Sequence, residues 1–239
     1  MRINKFLAKS GLGSRRACEK FVLQGKIKRN GKIITRLSTD IDPEKDNITF
    51  EDKLLKIPQR KIYIILNKPS GYLVTSSDPF DRKTVFELLP KFPERIFPVG
   101  RLDKSSSGLL ILTNDGDFAS KIMHPKKKIP KVYIVKIKGK PTQSQINNLR
   151  NGVTLEDVKT LPAKVFAKSY NQSNDLTKLR ITIYEGINRQ IRKMVKEIGS
   201  KVINLKRVQI GGIKLGKLAE GDWRFLKYKE IQHLYKLLN

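Results

Sequence analysis

Apolar positions recur along the chain with two different periods, and the changes of period mark out its elements. Ile3, Phe6 and Leu7 share one face of a short helix that Gly11 stops. Ser14 is placed to N-cap a second helix, with Ala17, Phe21 and Val22 facing inward and Arg15, Arg16 and Lys20 left outside, and Gly25 closes it. Lys26 to Ile33 then reads as a hairpin turning on Asn30-Gly31, with Lys28, Arg29 and Lys32 pointing outward. Two short helices and a small sheet predict an N-terminal domain over residues 1–57, small but able to fold alone. Residues 58–61, with Pro58 among cations, read as a linker.

Residues 62–239 form one longer pattern. Strands are predicted at 62–66, 73–76, 109–113, 132–137, 163–167, 179–184 and 202–205, from short runs rich in branched apolar residues. Helices fall between them. Capping boxes stand at Thr84-Val85-Phe86-Glu87 and Thr142-Gln143-Ser144-Gln145. A short helix runs from Asp117 to Met123. The clearest helix spans Asn188 to Ile198, where Ile191, Met194, Val195 and Ile198 share a face, and a last one carries Ile231, Leu234, Tyr235 and Leu238. Strands and helices do not alternate strictly, so the class is α+β rather than a doubly wound parallel fold.

Charge changes this picture from a fold to a partner. The 239 residues hold 50 Lys and Arg against 22 Asp and Glu, a formal net charge of +28. Eleven of the cations lie in residues 1–36, against the single acid Glu19. Such an excess points to a polyanion, since neutralising phosphates releases counterions and the field speeds encounter. Apolar runs fall well short of the roughly 20 residues of a spanning helix, and the first residues lack the apolar core of a signal peptide. The one cysteine, Cys18, cannot form an internal disulfide. A cytoplasmic location and no membrane partner are the simplest expectations.

Chemistry is narrowed by what is scarce. His124 and His233 lie far apart and, with one cysteine, make no zinc pattern, so no metal is expected. A phosphate-cradling loop and a dinucleotide fingerprint are both missing, which predicts no cofactor. Ser105, Ser106 and Ser107 lack a nucleophile elbow and a histidine base. What stands out is Gly100-Arg101-Leu102-Asp103-Lys104, which leads into the apolar run Leu109 to Leu112 and the turn signal Asn114-Asp115-Gly116. A carboxylate beside a rigid core strand, between cations, can be held ionised and aimed as a nucleophile. On spacing alone Asp103 reads equally well as a turn or capping residue.

Residues Asn4-Lys5-Phe6-Leu7-Ala8, Gly13-Ser14-Arg15-Arg16-Ala17, Gly25-Lys26-Ile27 and Asn30-Gly31 resemble the RNA-binding domain named after small-subunit ribosomal protein S-four. Gly100-Arg101-Leu102-Asp103, Ser106-Ser107-Gly108-Leu109-Leu110 and Thr113-Asn114-Asp115-Gly116 resemble the signature of bacterial rRNA pseudouridine synthases of the RsuA/RluB family. Leu66 to Gly71, Lys131-Val132-Tyr133 and Glu185 to Met194 match the family's further motifs, with Val132 where Thr is common and Ile187 where Arg is usual.

The resemblance implies an isomerase converting uridine to pseudouridine in ribosomal RNA, on a mixed, mainly antiparallel sheet, with no cofactor. It implies Asp103 as nucleophile, Tyr133 as the residue that stacks on uracil and takes the carbon 5 proton, and Arg192 as the cation paired with Asp103. A core tyrosine and a solvated or phosphate-binding arginine are the competing readings of the last two. Arg101 would fill the space of the flipped base, and Leu205 could line the uracil pocket. RNA contacts are expected from Arg15, Arg16, Lys20, Lys28, Arg29, Lys32 and Arg189. The expected partner is ribosomal RNA or an assembly intermediate, met by a monomer. Thr154-Leu155-Glu156-Asp157 and Asn188-Arg189-Gln190 favour the large-subunit branch; the alternatives are the small-subunit branch and a non-catalytic ribosome-assembly factor.

Overall fold

The computed structural model describes residues 1–238. It divides into two compact units. The first comprises Met1–Ile62 with Lys91–Phe97 and Thr113–Gly116, and the second holds the rest. Helices α1 (Ile3–Lys9) and α2 (Arg15–Leu23) precede a four-stranded sheet of β1 (Ile27–Arg29), β2 (Lys32–Ile34), β3 (Ile48–Phe50) and β4 (Lys53–Leu54), in the order β2-β1-β3-β4. Ser14 accepts from the Ala17 amide at 3.1 Å, as an N-cap should. The β1–β2 turn is two residues, Asn30 at φ 49° and Gly31 at φ 81°, the left-handed pair that a tight hairpin requires.

The first unit's core joins Ile3, Phe6, Leu7, Cys18, Val22, Ile27, Ile34, Ile41 and Ile48. Cys18 is part of it, and burial pushes its thiol up to about 11, so it is packing rather than a reactive group. The hairpin cations differ from expectation. Lys28 pairs with Asp52 at 2.7 Å and Arg29 with Asp46 at 2.9 Å, so both are half-buried and partly neutralised. Arg15, Arg16, Lys20 and Lys32 are exposed.

The second unit is built on a nine-stranded, mainly antiparallel sheet. Its strands and helices run β5 (Tyr63–Lys68), β6 (Phe97–Val99), β7 (Ser107–Thr113), α3 (Gly116–Met123), β8 (Lys131–Lys138), α4 (Gln143–Asn151), β9 (Thr154–Leu155), β10 (Val158–Lys159), β11 (Lys164–Asn171), β12 (Leu176–Ile183), α5 (Gln190–Glu197), β13 (Val202–Ile210), β14 (Ile213–Lys214), β15 (Trp223–Phe225) and α6 (Tyr228–Leu238). The order is β11-β12-β8-β13-β7-β5-β15, with β14 on β13 and β6 on β7. β9 and β10 form a separate ribbon.

β5 and β7 are buried at every position, which is why 62–66 and 109–112 read as unbroken apolar runs rather than alternating ones. The pair β7–β13 is parallel, with Arg207 opposite Gly108, and β13 is antiparallel to β8, with Arg207 opposite Tyr133. Gly108 sits at φ +104°, and a Cβ there would stand 2.1 Å from the Arg207 carbonyl oxygen, so only glycine lets these strands approach. Among the described residues no helix is long and apolar enough to cross a membrane.

Two further expectations change. Residues 73–76 are not a strand: Leu73 bridges Thr84 once, through Leu73 N to the Lys83 carbonyl and Val85 N to the Leu73 carbonyl. The Thr84 capping box is present but caps a single 3-10 turn, Val85–Leu88, because Pro90 disfavours a helical Leu89 and ends the element.

Candidate active site

The loop before β7 is held by its main chain. Lys68, at the end of β5, is wholly buried, and its ammonium donates to the carbonyl oxygens of Ser106 at 2.7 Å, Pro69 at 2.9 Å, Asp103 at 3.2 Å and Lys104 at 3.3 Å. The Ser106 amide closes a turn onto the Asp103 carbonyl, and the Gly71 amide bonds the Lys104 carbonyl at 2.7 Å. One buried cation thus fixes the backbone from 103 to 106 from within and leaves the Asp103 side chain 29% exposed. That is the preorganisation a reacting carboxylate needs.

The cations that face this carboxylate come from α5 and its first turn rather than from the neighbouring Arg101 and Lys104. Arg192 Nε stands 3.8 Å from Asp103 Oδ2, and Arg189 Nη1 3.9 Å. These are ion-pair distances, too long for hydrogen bonds. Arg192 is itself anchored, its Nη2 donating to the Ser105 carbonyl at 3.0 Å and to Ser106 Oγ at 3.3 Å. Its buried Nε has no hydrogen-bond acceptor among the described residues. Burial, then the nearby Arg189, lowers the Arg192 pKa, and the charge of Asp103 opposes both. Arg189 occupies a left-handed conformation, φ 53°, at the helix start, where Gln190 ties the turn by bonding Glu185 Oε1 at 2.6 Å. Strained backbone of this kind concentrates at functional segments.

Asp103, Tyr133, Arg101, Arg189 and Leu205 all line one cleft of about 1110 Å³, on the second unit. Small-ligand pockets run to roughly 1,000 Å³, so the cleft is large enough to take a small molecule. Six Lys and Arg line it (Arg82, Arg101, Lys104, Lys131, Arg189, Arg207) against Asp78, Asp103 and Glu185. Tyr133 is buried on β8 and Leu205 on β13. Arg192, which pairs with Asp103, is not itself a lining residue of the cleft. Arg15, Arg16, Lys20, Lys28, Arg29 and Lys32 belong to the first unit, where Arg29 and Lys32 line a separate groove of about 520 Å³ with Arg36.

Three cations escaped the sequence reading. Lys68 was legible only as part of a motif. Arg207 is buried in β13, its Nε donating to the Leu109 carbonyl at 2.8 Å and its Nη1 to the Arg101 carbonyl at 3.4 Å, with Nη2 lacking an acceptor among the described residues. It therefore spans the two ends of the segment that carries Asp103. Lys131 is half-buried, its pKa lowered by burial and by Arg207. A signal existed for Arg207: it lies two residues after Leu205, in phase with the buried face of a strand, where a cation needs a reason.

Burial lowers Lys68 to about 8, against the attraction of Asp103 and Glu220. Four carbonyl acceptors favour the ammonium, so at neutral pH the clamp is charged. Above about pH 8 it loses a donor and turns a lone pair on carbonyl oxygens. Turnover is expected to fall through that range in the wild type and to lose this step in Lys68→Met. Stability moves the other way. The native pKa lies below the unfolded value of about 10.4, so between about pH 8 and 10.4 the unfolded chain holds more protons and this group's contribution rises with pH. Urea titrations of wild type minus Lys68→Met at pH 7.5 and 9.5 read the sign; a difference that falls with pH contradicts it.

A family model described as RNA pseudouridylate synthase matches residues 62–197, and one described as S4 domain matches residues 1–48. An "Uncharacterized RNA pseudouridine synthase" of Aquifex aeolicus (strain VF5) is 45% identical over 237 residues, 99% of this chain and 94% of that protein. "Ribosomal large subunit pseudouridine synthase B" of Bacillus subtilis (strain 168) is 40% identical over 237 residues, covering 99% and 96%. A solved structure described as "Crystal structure of pseudouridylate synthase" superposes with a TM-score of 0.70 at 31% identity, over 98% of this chain and 99% of that one.

Proposed function

The chain belongs to the RNA pseudouridylate synthase family, with an S4 domain at its N-terminus, and from that premise we propose that it isomerises one uridine of large-subunit ribosomal RNA to pseudouridine, with Asp103 as nucleophile. The observation that carries this reading is the Asp103 carboxylate, aimed by a main-chain clamp into a cationic cleft and faced by Arg192 at 3.8 Å. The large-subunit assignment follows the B. subtilis relative's name.

The reaction breaks the bond from uracil N1 to ribose C1′ and makes one from C5 to C1′. The proton on C5 leaves and N1 gains one, so composition and oxidation level are unchanged and the stoichiometry calls for no cofactor. Asp103 attacks either the anomeric carbon, and is expelled as the C5 bond forms there, or the uracil ring, and is expelled as the C5 proton leaves and the ring double bond returns. Arg192 holds it ionised for that attack. Tyr133 stacks on the uracil and takes the C5 proton. The uridine reaches these groups by flipping out of its helix or from a loop, and Arg101 fills the vacancy. Residues 1–57 grip folded RNA, and 62–239 carry the chemistry. The enzyme acts in the cytoplasm, as a monomer, on ribosomal RNA or an assembly intermediate.

Tritium release from RNA carrying carbon-5-labelled uridine tests the activity, and mapping pseudouridine in ribosomal RNA of a deletion strain tests the substrate. A site lost from small-subunit RNA moves the assignment to that branch; no release from either ribosomal RNA leaves a binding factor. Replacing Arg15 and Arg16 together tests the grip. At about 0.7 to 0.9 counterions per phosphate contact, the log–log salt slope of RNA binding is expected to flatten by up to about 1.4 to 1.8. An unchanged slope would remove these two residues from the interface.

A further inference from the structure

The turn at 78–82 carries Phe80, 74% exposed and the most exposed large apolar side chain among the described residues. Isolated exposed apolar residues are ordinary; the setting of this one is not. Asp78, whose own side chain is only 5% exposed, accepts from the amides of Phe80 at 3.2 Å and Arg82 at 3.0 Å, and from Arg82 Nε at 3.0 Å and Nη2 at 2.6 Å. These bonds hold its carboxyl down at about 2. The turn is therefore locked across the working pH range. Its Arg82 guanidinium lies 4.9 Å from the centre of the Phe80 ring, which fixes one side of the aromatic plane and brings a positive charge to it. Asp78 and Arg82 line the cleft that holds Asp103, and Phe80 lies between them in the chain.

An exposed aromatic plane backed by a guanidinium, beside a cationic cleft, has the form of a base-stacking platform. Every nucleobase has a π-face to offer it, and the adjoining phosphate meets Arg82. A protein partner would need an apolar surface extending beyond one ring; here the neighbours in the chain are Asp78, Asp81 and Arg82. We propose that Phe80 and Arg82 form a ledge on which an unpaired nucleobase flanking the target uridine stacks as the strand enters the cleft. This subsite rests on the RNA-substrate reading above.

Equilibrium binding and turnover of the full chain are measured on one ribosomal RNA fragment, for wild type, Phe80→Ala and Phe80→Trp. Base stacking on an aromatic is worth about 1 to 3 kcal/mol, so Phe80→Ala is expected to weaken binding and raise KM by about 5- to 150-fold. The expected kcat stays within about twofold and the salt slope is unchanged, because a π contact releases no counterion. Phe80→Trp retains affinity. Replacing the flanking nucleotides one at a time by abasic residues finds one position that erases the difference between wild type and Phe80→Ala. Equal binding by wild type and Phe80→Ala, or a difference that no abasic position removes, overturns the ledge. Equal binding with a changed sedimentation coefficient assigns the ring to a second copy instead. The binding arm reads out without turnover, so an active enzyme indifferent to Phe80 refutes the ledge alone, while an inactive wild type refutes the enzyme assignment.

Discussion

Asp103→Ala is expected to lower tritium release from C5-labelled RNA by about 10⁴-fold or more, the scale on which removing one member of a nucleophilic unit acts. Asp103→Asn is expected to do the same, since it keeps the shape and loses the charge. Neither should disturb the fold. The loop that carries Asp103 is fixed by carbonyl oxygens at 69, 103, 104 and 106, all of which survive the substitution. RNA affinity should hold or tighten, because removing the carboxylate takes a negative charge from a cleft lined by six cations. The comparison therefore separates chemistry from binding: melting temperature unchanged, Kd unchanged or lower, kcat collapsed. Activity within about tenfold of wild type would eliminate Asp103 as the attacking group whatever the family resemblance implies.

The second large effect is on stability. Gly108→Ala places a methyl 2.1 Å from the Arg207 carbonyl oxygen and demands φ +104° of a residue with a Cβ. The contact is with backbone in the middle of the sheet, so no side chain can swing away. Either β7 and β13 separate, breaking the parallel pair at 206–207 with 107–108, or the backbone of both strands shifts. A loss of about 4 kcal/mol or more is expected, and at roughly 2 to 4 °C per kcal/mol for this size the melting temperature drops by about 8 to 16 °C. Thermal unfolding measures it. A drop of less than about 3 °C, under 2 kcal/mol on the same scale, would mean that the strands approach less closely than the geometry has them.

Much of this fold was legible because its elements obey local rules. The Ser14 cap, the Asn30-Gly31 turn and the apolar face of Ile191, Met194 and Val195 each depend on neighbours within one or two turns of chain, and each is present. The α+β class and the two family resemblances also stand. What was not legible depends on distant segments. The strand predicted at 202–205 continues through Lys206 and Arg207 to Ile210. Arg207 is accommodated there by carbonyls at 101 and 109, about which the local sequence says nothing. The 73–76 run failed in the opposite sense: it has strand composition but makes only one bridge, to Thr84. Spacing alone left Asp103 balanced between turn residue and nucleophile. The structure gives the turn to its backbone carbonyl and turns the carboxylate toward Arg189 and Arg192, 86 and 89 residues away in sequence. No periodicity carries that information.

The Lys68 clamp has a consequence for how such a site can drift through evolution. It grips four main-chain oxygens, and Arg192 adds the Ser105 carbonyl, so the aim of position 103 is encoded largely in peptide groups that every amino acid supplies. Side-chain identity at 104 and 105 is then open to change, for substrate preference or for surface charge, without moving the Asp103 carboxylate. The latitude ends at residue 68, whose single amine serves all four contacts and for which the other nineteen amino acids offer no equivalent reach and charge.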